Sequence, residues 1–409
     1  MNDVVASAVA LAHRSEWAAV LAATVRVTRD IDLAEECVQD AYARALDAWR
    51  TDGIPTKPGA WLTTVARRRA LDLIRREQAL VRRLPLLVEA VDDETPVIGA
   101  IPDDRLRLVF TCCHPALAAE TQVALTLRLV CGLSTAEVAR AFLVSETAMA
   151  ARITRGKKKI QIARIPYRVP SPEELPERIP PVLAVAHLVF TTGHAAPIGD
   201  RLNRPDLVER ALDLVRMLRS ILPEERTVVG LLALFLLTDA RRPARVDDNG
   251  AFVSLADQDR THWDTAAIAE GLELLARARE ACPDDHYALM AAIAAVHARA
   301  TTWTETDWDE IVALYDRLVE RWPSPVVRMN RAVAVSFATD AHAGLDALDA
   351  LRDEPRLAGY SYYAAARADL LRQLGRTDEA RLAYEEALLL TENLVEARYL
   401  RTRVAELAG

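Results

Sequence analysis

The 409-residue sequence predicts an all-α protein on three observations. Ala, Leu, Arg and Glu dominate, and these residues lose little on entering a helix, while no run of alternating β-branched residues marks a strand. Apolar residues recur with helical spacing, as in Val38, Ala41, Tyr42, Ala45, Leu46 and Trp49. The helix breakers are concentrated: residues 165–181 hold six prolines in seventeen positions, so that stretch is not read as one continuous helix. At about 100–200 residues per domain, the chain has room for two to four domains.

Composition sets further bounds. A hydrophobic content of 51% excludes global disorder, and 14 Gly with 20 Pro exclude a collagen-like fibre. The longest apolar run, Val228 to Leu237, has ten residues, about half of what a membrane span needs. The N-terminus has no basic segment ahead of its apolar stretch, which reads as a protein without a secretory signal, expected in the cytoplasm and away from membranes. Five cysteines in such a chain do not read as a disulfide framework. The net charge of −8 is unevenly spread: residues 1–165 carry +3 and the remainder −11. Two basic clusters, at 61–83 and 134–165, each hold seven basic and two acidic residues and point to localised polyanion contacts.

The expected elements follow in order. A first helical domain spans 1–84. In its AEECVQDAYARALDAW helix one face is apolar, and the other presents Glu35, Glu36, Gln39 and Asp40, an acidic and amide surface suited to a basic protein partner. After the turn TDGIPTKPG, the helix AWLTTVARRRALDLIRREQ turns Trp61, Leu62, Val65, Ala66, Ala70, Leu73 and Ile74 inward. Arg67, Arg68, Arg69, Arg75 and Arg76 lie mostly outside, a strip suited to phosphates or simply to solvent. Residues 85–104, acidic and with three prolines, read as a linker.

The second domain, 105–165, ends in helix–turn–helix spacing. Ser134 or Thr135 caps a short helix with Val138, Ala139 and Phe142 inward; after Leu143-Val144, Ser145 caps a second helix with Met149, Ile153 and Ile160 inward. Ala148, Arg152, Arg155 and Lys159 share the opposite face, the geometry of a helix that enters the DNA major groove. Beyond the proline-rich linker at 166–181, residues 182–409 read as a helical extension. There Ala313, Ala347 and Ala380 recur at spacings of 34 and 33, the period of tetratricopeptide helix pairs, so 290–409 is expected to be tetratricopeptide-like and to hold a protein or peptide.

These residues in this order resemble a sigma factor of the sigma-70 superfamily, in its extracytoplasmic-function branch. AEECVQDAYARAL is similar to region 2.2, WLTTVARRRALDLIRR to the segment that reads the promoter −10 element, and 134–160 to region 4.2, the −35 reader. FTCCHPAL at 110–117, VLAVAHLVFTTGH, LLALFLLTDARRPAR and QDRTHWD resemble blocks of a subgroup with a helical, tetratricopeptide-like extension. The resemblance implies domains 1–84 as region 2 and 105–165 as region 4. It implies that Glu35, Glu36, Gln39 and Asp40 contact core RNA polymerase at its β′ clamp helices. Loop 51–58 with Lys57, together with Arg67, Arg68, Arg69, Arg75 and Arg76, would serve the −10 element of promoter DNA. Glu146, Thr147, Ala150, Ala151, Arg152, Arg155 and Lys159 would serve the −35 element. Arg68 stands where many members carry Asn, and Ala150-Ala151 where they carry a more polar pair, so no promoter sequence is carried over.

Other residue groups are read as structural. Adjacent Cys112 and Cys113 with His114 chelate one ion poorly and no second ligand pair lies nearby, so no metal is expected. His187, His194 and Asp239 lack a nucleophile elbow, a phosphate loop or paired carboxylates, so neither an enzyme nor a cofactor is expected. RRPARVDDNG reads either as a ligand-binding segment or as a structural turn held by Arg–Asp pairs, the turn being preferred. The expected function is thus an alternative sigma factor that directs promoter recognition, with an extension that modulates it or binds a partner. The alternative is a stand-alone helix–turn–helix regulator with a tetratricopeptide-like sensor.

Overall fold

The computed structural model describes residues 2–81, 104–142 and 144–407. The expected linker up to residue 103 and Leu143 of the expected turn lie outside them, as does the side chain of Phe142. Among the described residues the chain is all-α. The only strands among the described residues are a two-residue parallel pair, Ile198–Gly199 with Glu392–Asn393. No described helix is long and apolar enough to cross a membrane. The chain forms two compact units, Met1–Leu188 and Val189–Gly409.

The first unit opens with α1 (Asn2–Thr28), α2 (Ile31–Thr51) and α3 (Pro58–Val81), which pack against one another. Asp30 caps α2 by accepting from Leu33 N at 2.9 Å, and Gly53, at φ +84°, turns the chain after it. The apolar stripe of α2 faces inward as expected: Val38, Ala41, Tyr42, Ala45 and Trp49 are buried with Trp17, Leu21, Leu62 and Ala66. Each fully buried large side chain contributes about 1.5–3 kcal/mol. Trp49 and Trp61 pack edge to face at 5.7 Å, closing the α2–α3 end.

Then come α4 (Asp104–Cys112), α5 (Ala119–Leu125) running into one π-helical turn at Thr126–Val130, α6 (Thr135–Phe142) and α7 (Glu146–Ile162). Ser134 is the cap of α6: its Oγ accepts from Glu137 N at 3.2 Å while Glu137 accepts from Ser134 N at 2.7 Å, a reciprocal capping box. Ser145 caps α7 through Ala148 N at 3.2 Å. Met149, Ile153 and Ile160 are buried as the spacing requires. Gly156 is buried with them, and a Cβ there would stand 2.6 Å from Thr121 Cγ2. Gly156→Ala is therefore expected to destabilise the α5–α7 contact by about 1–3 kcal/mol. Urea denaturation checks this, and adding Thr121→Ser, which removes the obstructing methyl, is expected to restore most of the loss.

Residues 166–181 are not free-standing. Tyr167 donates to Ala22 O at 2.9 Å and Arg178 to Phe110 O at 2.7 Å. Chain without helix extends to Glu174, and α8 (Leu175–His194) starts among the prolines, with Pro180 and Pro181 inside it. Pro176 falls in the first turn, where N–H groups have no partner within the helix, whereas Pro180 and Pro181 lie beyond it and each removes one i→i−4 bond. Pro115 lies in the turn before α5.

The second unit continues with α9 (Pro205–Ile221), α10 (Arg226–Asp239), α11 (Thr265–Ala281), α12 (His286–Arg299), α13 (Trp308–Arg321) and α14 (Pro325–Ala338). It ends with α15 (Ala341–Asp349), α16 (Ser361–Gln373), α17 (Thr377–Leu390) and α18 (Leu394–Glu406). Asp264, Asp285, Asp307 and Asp340 each cap the helix that follows. Each helix from α10 onward packs on its successor, and Leu345, Leu348, Leu371, Tyr384 and Leu400 belong to one core at the C-terminal end. The alanine spacing is only partly matched: Ala380 is fully buried, Ala347 half-buried and Ala313 exposed. The close approach before α17 falls on Gly344, where a Cβ would run into Ser336. Asn393, fully buried, caps α18 and donates to Ala196 O and Arg201 O at 2.8 Å, tying the two ends of this unit together.

Two histidines of this unit are held neutral. Burial pushes His194 well below its ordinary value, and burial with Arg241 and Arg260 nearby pushes His297 down to about 4. The unfolded chain therefore takes up these protons first as pH falls, so stability is full above about pH 6.5 and declines toward the folded value. For His297 the loss by pH 4 is roughly 3 kcal/mol. Urea midpoints measured between pH 7 and pH 4 check this, and His297→Asn is expected to flatten the slope.

Candidate nucleic-acid and protein interfaces

The structure sorts the four acidic-face residues of α2 into three situations. Glu36 and Gln39 are exposed. Asp40 pairs with Arg69 of α3 at 2.9 Å, so one expected protein contact and one expected DNA contact hold each other. Glu35 departs from the expected surface position: its side chain is only 8% exposed, lying between Arg128 at 2.7 Å and Lys157 of α7. Lys157 also reaches Asp32 at 2.7 Å, and Gln161 donates to Asp30 at 3.1 Å. Burial opposes the charge on Lys157, but Glu35 and Asp32 outweigh it and hold its pKa above the ordinary value.

Further contacts fix this arrangement. Trp17 Nε1 donates to Leu129 O at 3.0 Å, and the Arg128 guanidinium lies 5.6 Å from the Trp17 ring. Composition and spacing singled out neither Arg128 nor Lys157 for this role. One signal was present: Lys157 shares a helical face with Ile153 and Ile160, so its charge, carried on an inward stripe, needs an acidic partner.

The basic residues of α3 divide similarly. Arg67, Arg68, Arg75 and Arg76 are exposed, as is Lys57 in the loop before the helix, whereas Arg69 is half-buried in its pair with Asp40. On α7, Glu146, Thr147, Ala150, Arg155 and Lys159 are exposed, and Ala151 and Arg152 are partly buried. The residues at the capped N-terminal end thus precede a basic line on one face, and Lys157 lies on the other. The thiols of Cys112 and Cys113 are buried and protonated: burial raises both, Cys113 to about 12, and Cys113 Sγ shares a 3.4 Å hydrogen bond with Thr126.

RRPARVDDNG is a turn, but hydrogen bonds from backbone N–H groups hold it where Arg–Asp pairs were expected: Asp247 accepts from Asn249 N at 2.9 Å and Ala251 N at 2.8 Å and Gly250 has φ +74°, while Arg242 pairs at 3.3 Å with Asp239, ahead of the block.

Sigma-70 region 2 matches residues 16–80 and sigma-70, region 4 matches residues 107–160. The ECF RNA polymerase sigma factor SigK of Mycobacterium ulcerans is 37% identical over 122 residues, which cover 28% of this chain and 63% of SigK. The chain belongs to the extracytoplasmic-function branch of the sigma-70 family. It is an alternative sigma factor for transcription initiation, with a C-terminal extension. Residues 178–279 of that extension match a family of unknown function, DUF6596. An uncharacterized protein of Rhizobium meliloti is 43% identical over 396 residues, 95% of this chain and 93% of that protein. The sigma-factor family is not a class of enzymes, and membership implies core RNA polymerase and promoter DNA as partners. The stand-alone regulator is set aside, because the region 2 match spans the helices such a regulator does not need.

Proposed function

We propose that this sigma factor docks on the β′ clamp helices of core RNA polymerase through the α2 face, led by Glu36 and Gln39, with Glu35 and Asp40 joining once their internal partners are exchanged. Lys57, Arg67, Arg68, Arg75 and Arg76, with Arg69 beside them, serve the −10 element. Glu146, Thr147, Ala150, Ala151 and Arg152 approach the −35 bases, while Arg155 and Lys159 hold phosphates. The observation that carries this reading is the orientation of α7, capped by Ser145, with Arg155 and Lys159 exposed, Arg152 partly so, and the apolar line buried. Lys157 gives α7 a second task, holding region 4 on α2 until polymerase supplies other cations to Glu35.

The extension is proposed to bind a protein or peptide. A cavity of about 330 Å³, lined by Phe252, Met329, Tyr362, Glu396 and Tyr399 among others, supports that role. Run-off transcription with purified core polymerase on genomic fragments tests the main reading. Specific starts that require this protein are expected; neither starts nor co-elution with core would overturn it.

A further inference from the structure

The chain leaving the RRPARVDDNG turn forms one wall of the cavity of about 330 Å³ in the extension. Asp247 N donates to Ala251 O at 3.0 Å and Val253 N to Arg245 O at 2.9 Å, and Val246 bridges Phe252, so the turn sends the chain back as a short hairpin. That hairpin delivers Phe252 and Ser254 to a lining completed by α14, α16 and α18. The Phe252 ring packs edge to face on Tyr399 of α18 at 5.1 Å. Small-ligand sites span about 300–1,000 Å³, so this cavity has room for one side chain or one small molecule.

The lining is rich in acceptors and poor in donors. Tyr362 donates its hydroxyl proton to Glu396 Oε1 at 2.5 Å, Ser254 to Asp257 at 2.6 Å and Thr391 to Ala387 O at 2.8 Å. With their protons committed, these hydroxyls can only accept from a ligand. Asp369 accepts from Tyr384, which leaves one oxygen of Asp369 and one of Glu396 without a hydrogen bond from a described residue. No described Lys, Arg or His lines the cavity. The arginines that come near it are engaged. Arg245 donates to His194 O and attracts Glu396, Arg403 pairs with Glu406 at 2.8 Å beside the Tyr399 ring, and Arg372 lies 3.7 Å from Asp369. With these counted the charges are close to balance, so selection falls on hydrogen bonding and on the aromatic rings.

Building on the partner-binding role proposed for the extension, we propose that this cavity binds a primary alkylammonium group. An ammonium carries three N–H donors and no acceptor, which matches a lining of spent hydroxyls and half-used carboxylates. Carboxylate oxygens and aromatic faces both attract its charge, and Phe252, Met329 and Leu400 cover its aliphatic chain. A carboxylate ligand is repelled by Asp369 and Glu396, and a neutral aliphatic chain leaves their free oxygens against apolar atoms. The ammonium belongs to a lysine side chain of a partner or to a free small amine. Tyr362 is exposed, so the cavity is open to either. The site lies wholly within the second unit and does not depend on how the sigma regions bind polymerase.

The test is calorimetric titration of the full chain at pH 7 with a blocked tripeptide centred on lysine. The same tripeptide centred on norleucine or on glutamate, and butylammonium chloride, are titrated beside it. The lysine peptide is expected to bind at least about tenfold more tightly than the norleucine peptide, and the glutamate peptide not to bind. Glu396→Gln keeps the shape and an acceptor for Tyr362; it is expected to weaken the lysine peptide about tenfold and to leave the norleucine peptide unchanged. Asp369→Asn, on a different helix, serves if the glutamine variant does not fold, and is expected to weaken the lysine peptide severalfold. Butylammonium binding as tightly as the lysine peptide would keep the ammonium site and remove the peptide partner, whereas preference for the lysine peptide supports both. Norleucine or glutamate binding as tightly as lysine, or lysine binding unchanged in both variants, would overturn the ammonium site and leave the peptide role standing. Binding of none of these ligands would overturn both.

Discussion

Core RNA polymerase is expected to release this sigma factor when Glu36 and Gln39 are both changed to lysine. Both side chains are exposed on α2, so the substitutions leave the region 2 core untouched and stability within about 0.5 kcal/mol. Like charges placed across an interface cost several kcal/mol, so affinity for core is expected to fall by at least about 100-fold and run-off transcripts to vanish. Size-exclusion co-elution and run-off transcription measure the two effects. Glu36 and Gln39 are the residues for this experiment because Asp40 is already engaged by Arg69, and its reversal would disturb the α2–α3 packing as well. Retained co-elution would move the docking face off α2.

The second large effect is expected from removing the cations around Glu35. In an Arg128→Ala, Lys157→Ala chain, a carboxylate only 8% exposed is left with no positive partner. Breaking a buried pair in this way costs about 3–5 kcal/mol, because the remaining charge stays desolvated. Region 4 is therefore expected to detach from α2, seen as a lower urea midpoint and as a rise in proteolysis between residues 104 and 165. Adding Glu35→Gln removes the stranded charge and is expected to recover a large part of the loss. Arg128→Ala also forfeits the contact with Trp17 and the bond to Leu133 O, so recovery is incomplete. An equal loss in the Glu35→Gln background would assign the effect to packing and remove the cluster from the account.

The same cluster shows how far the sequence could be read. Glu35 carries the resemblance to a polymerase-contacting surface as well as its neighbours do, and helical spacing alone places it on the polar side of α2. Its partner Lys157 lies 122 residues away, and no local rule joins two such positions. Arg69 is similar: consecutive arginines were legible as a strip, but which of them Asp40 takes out of that strip was not. RRPARVDDNG was readable as a turn, but that Arg242 takes its carboxylate from Asp239, ahead of the block, was not.

Helix type, caps and inward stripes belong to the chain's local grammar. Ser134, Ser145 and the line Met149, Ile153, Ile160 behave as read, because capping and the 3.6-residue period act over three to seven residues. The order of region 2, region 4 and a helical extension was likewise readable, since motifs keep their sequence order whatever they pack against. Packing settled the remainder: the burial of Glu35, the helix that begins among the prolines at Leu175 and the place of Gly344 in the array. Each of these depends on which distant surface arrives, and desolvation then makes the cost of a missing or present partner several kcal/mol.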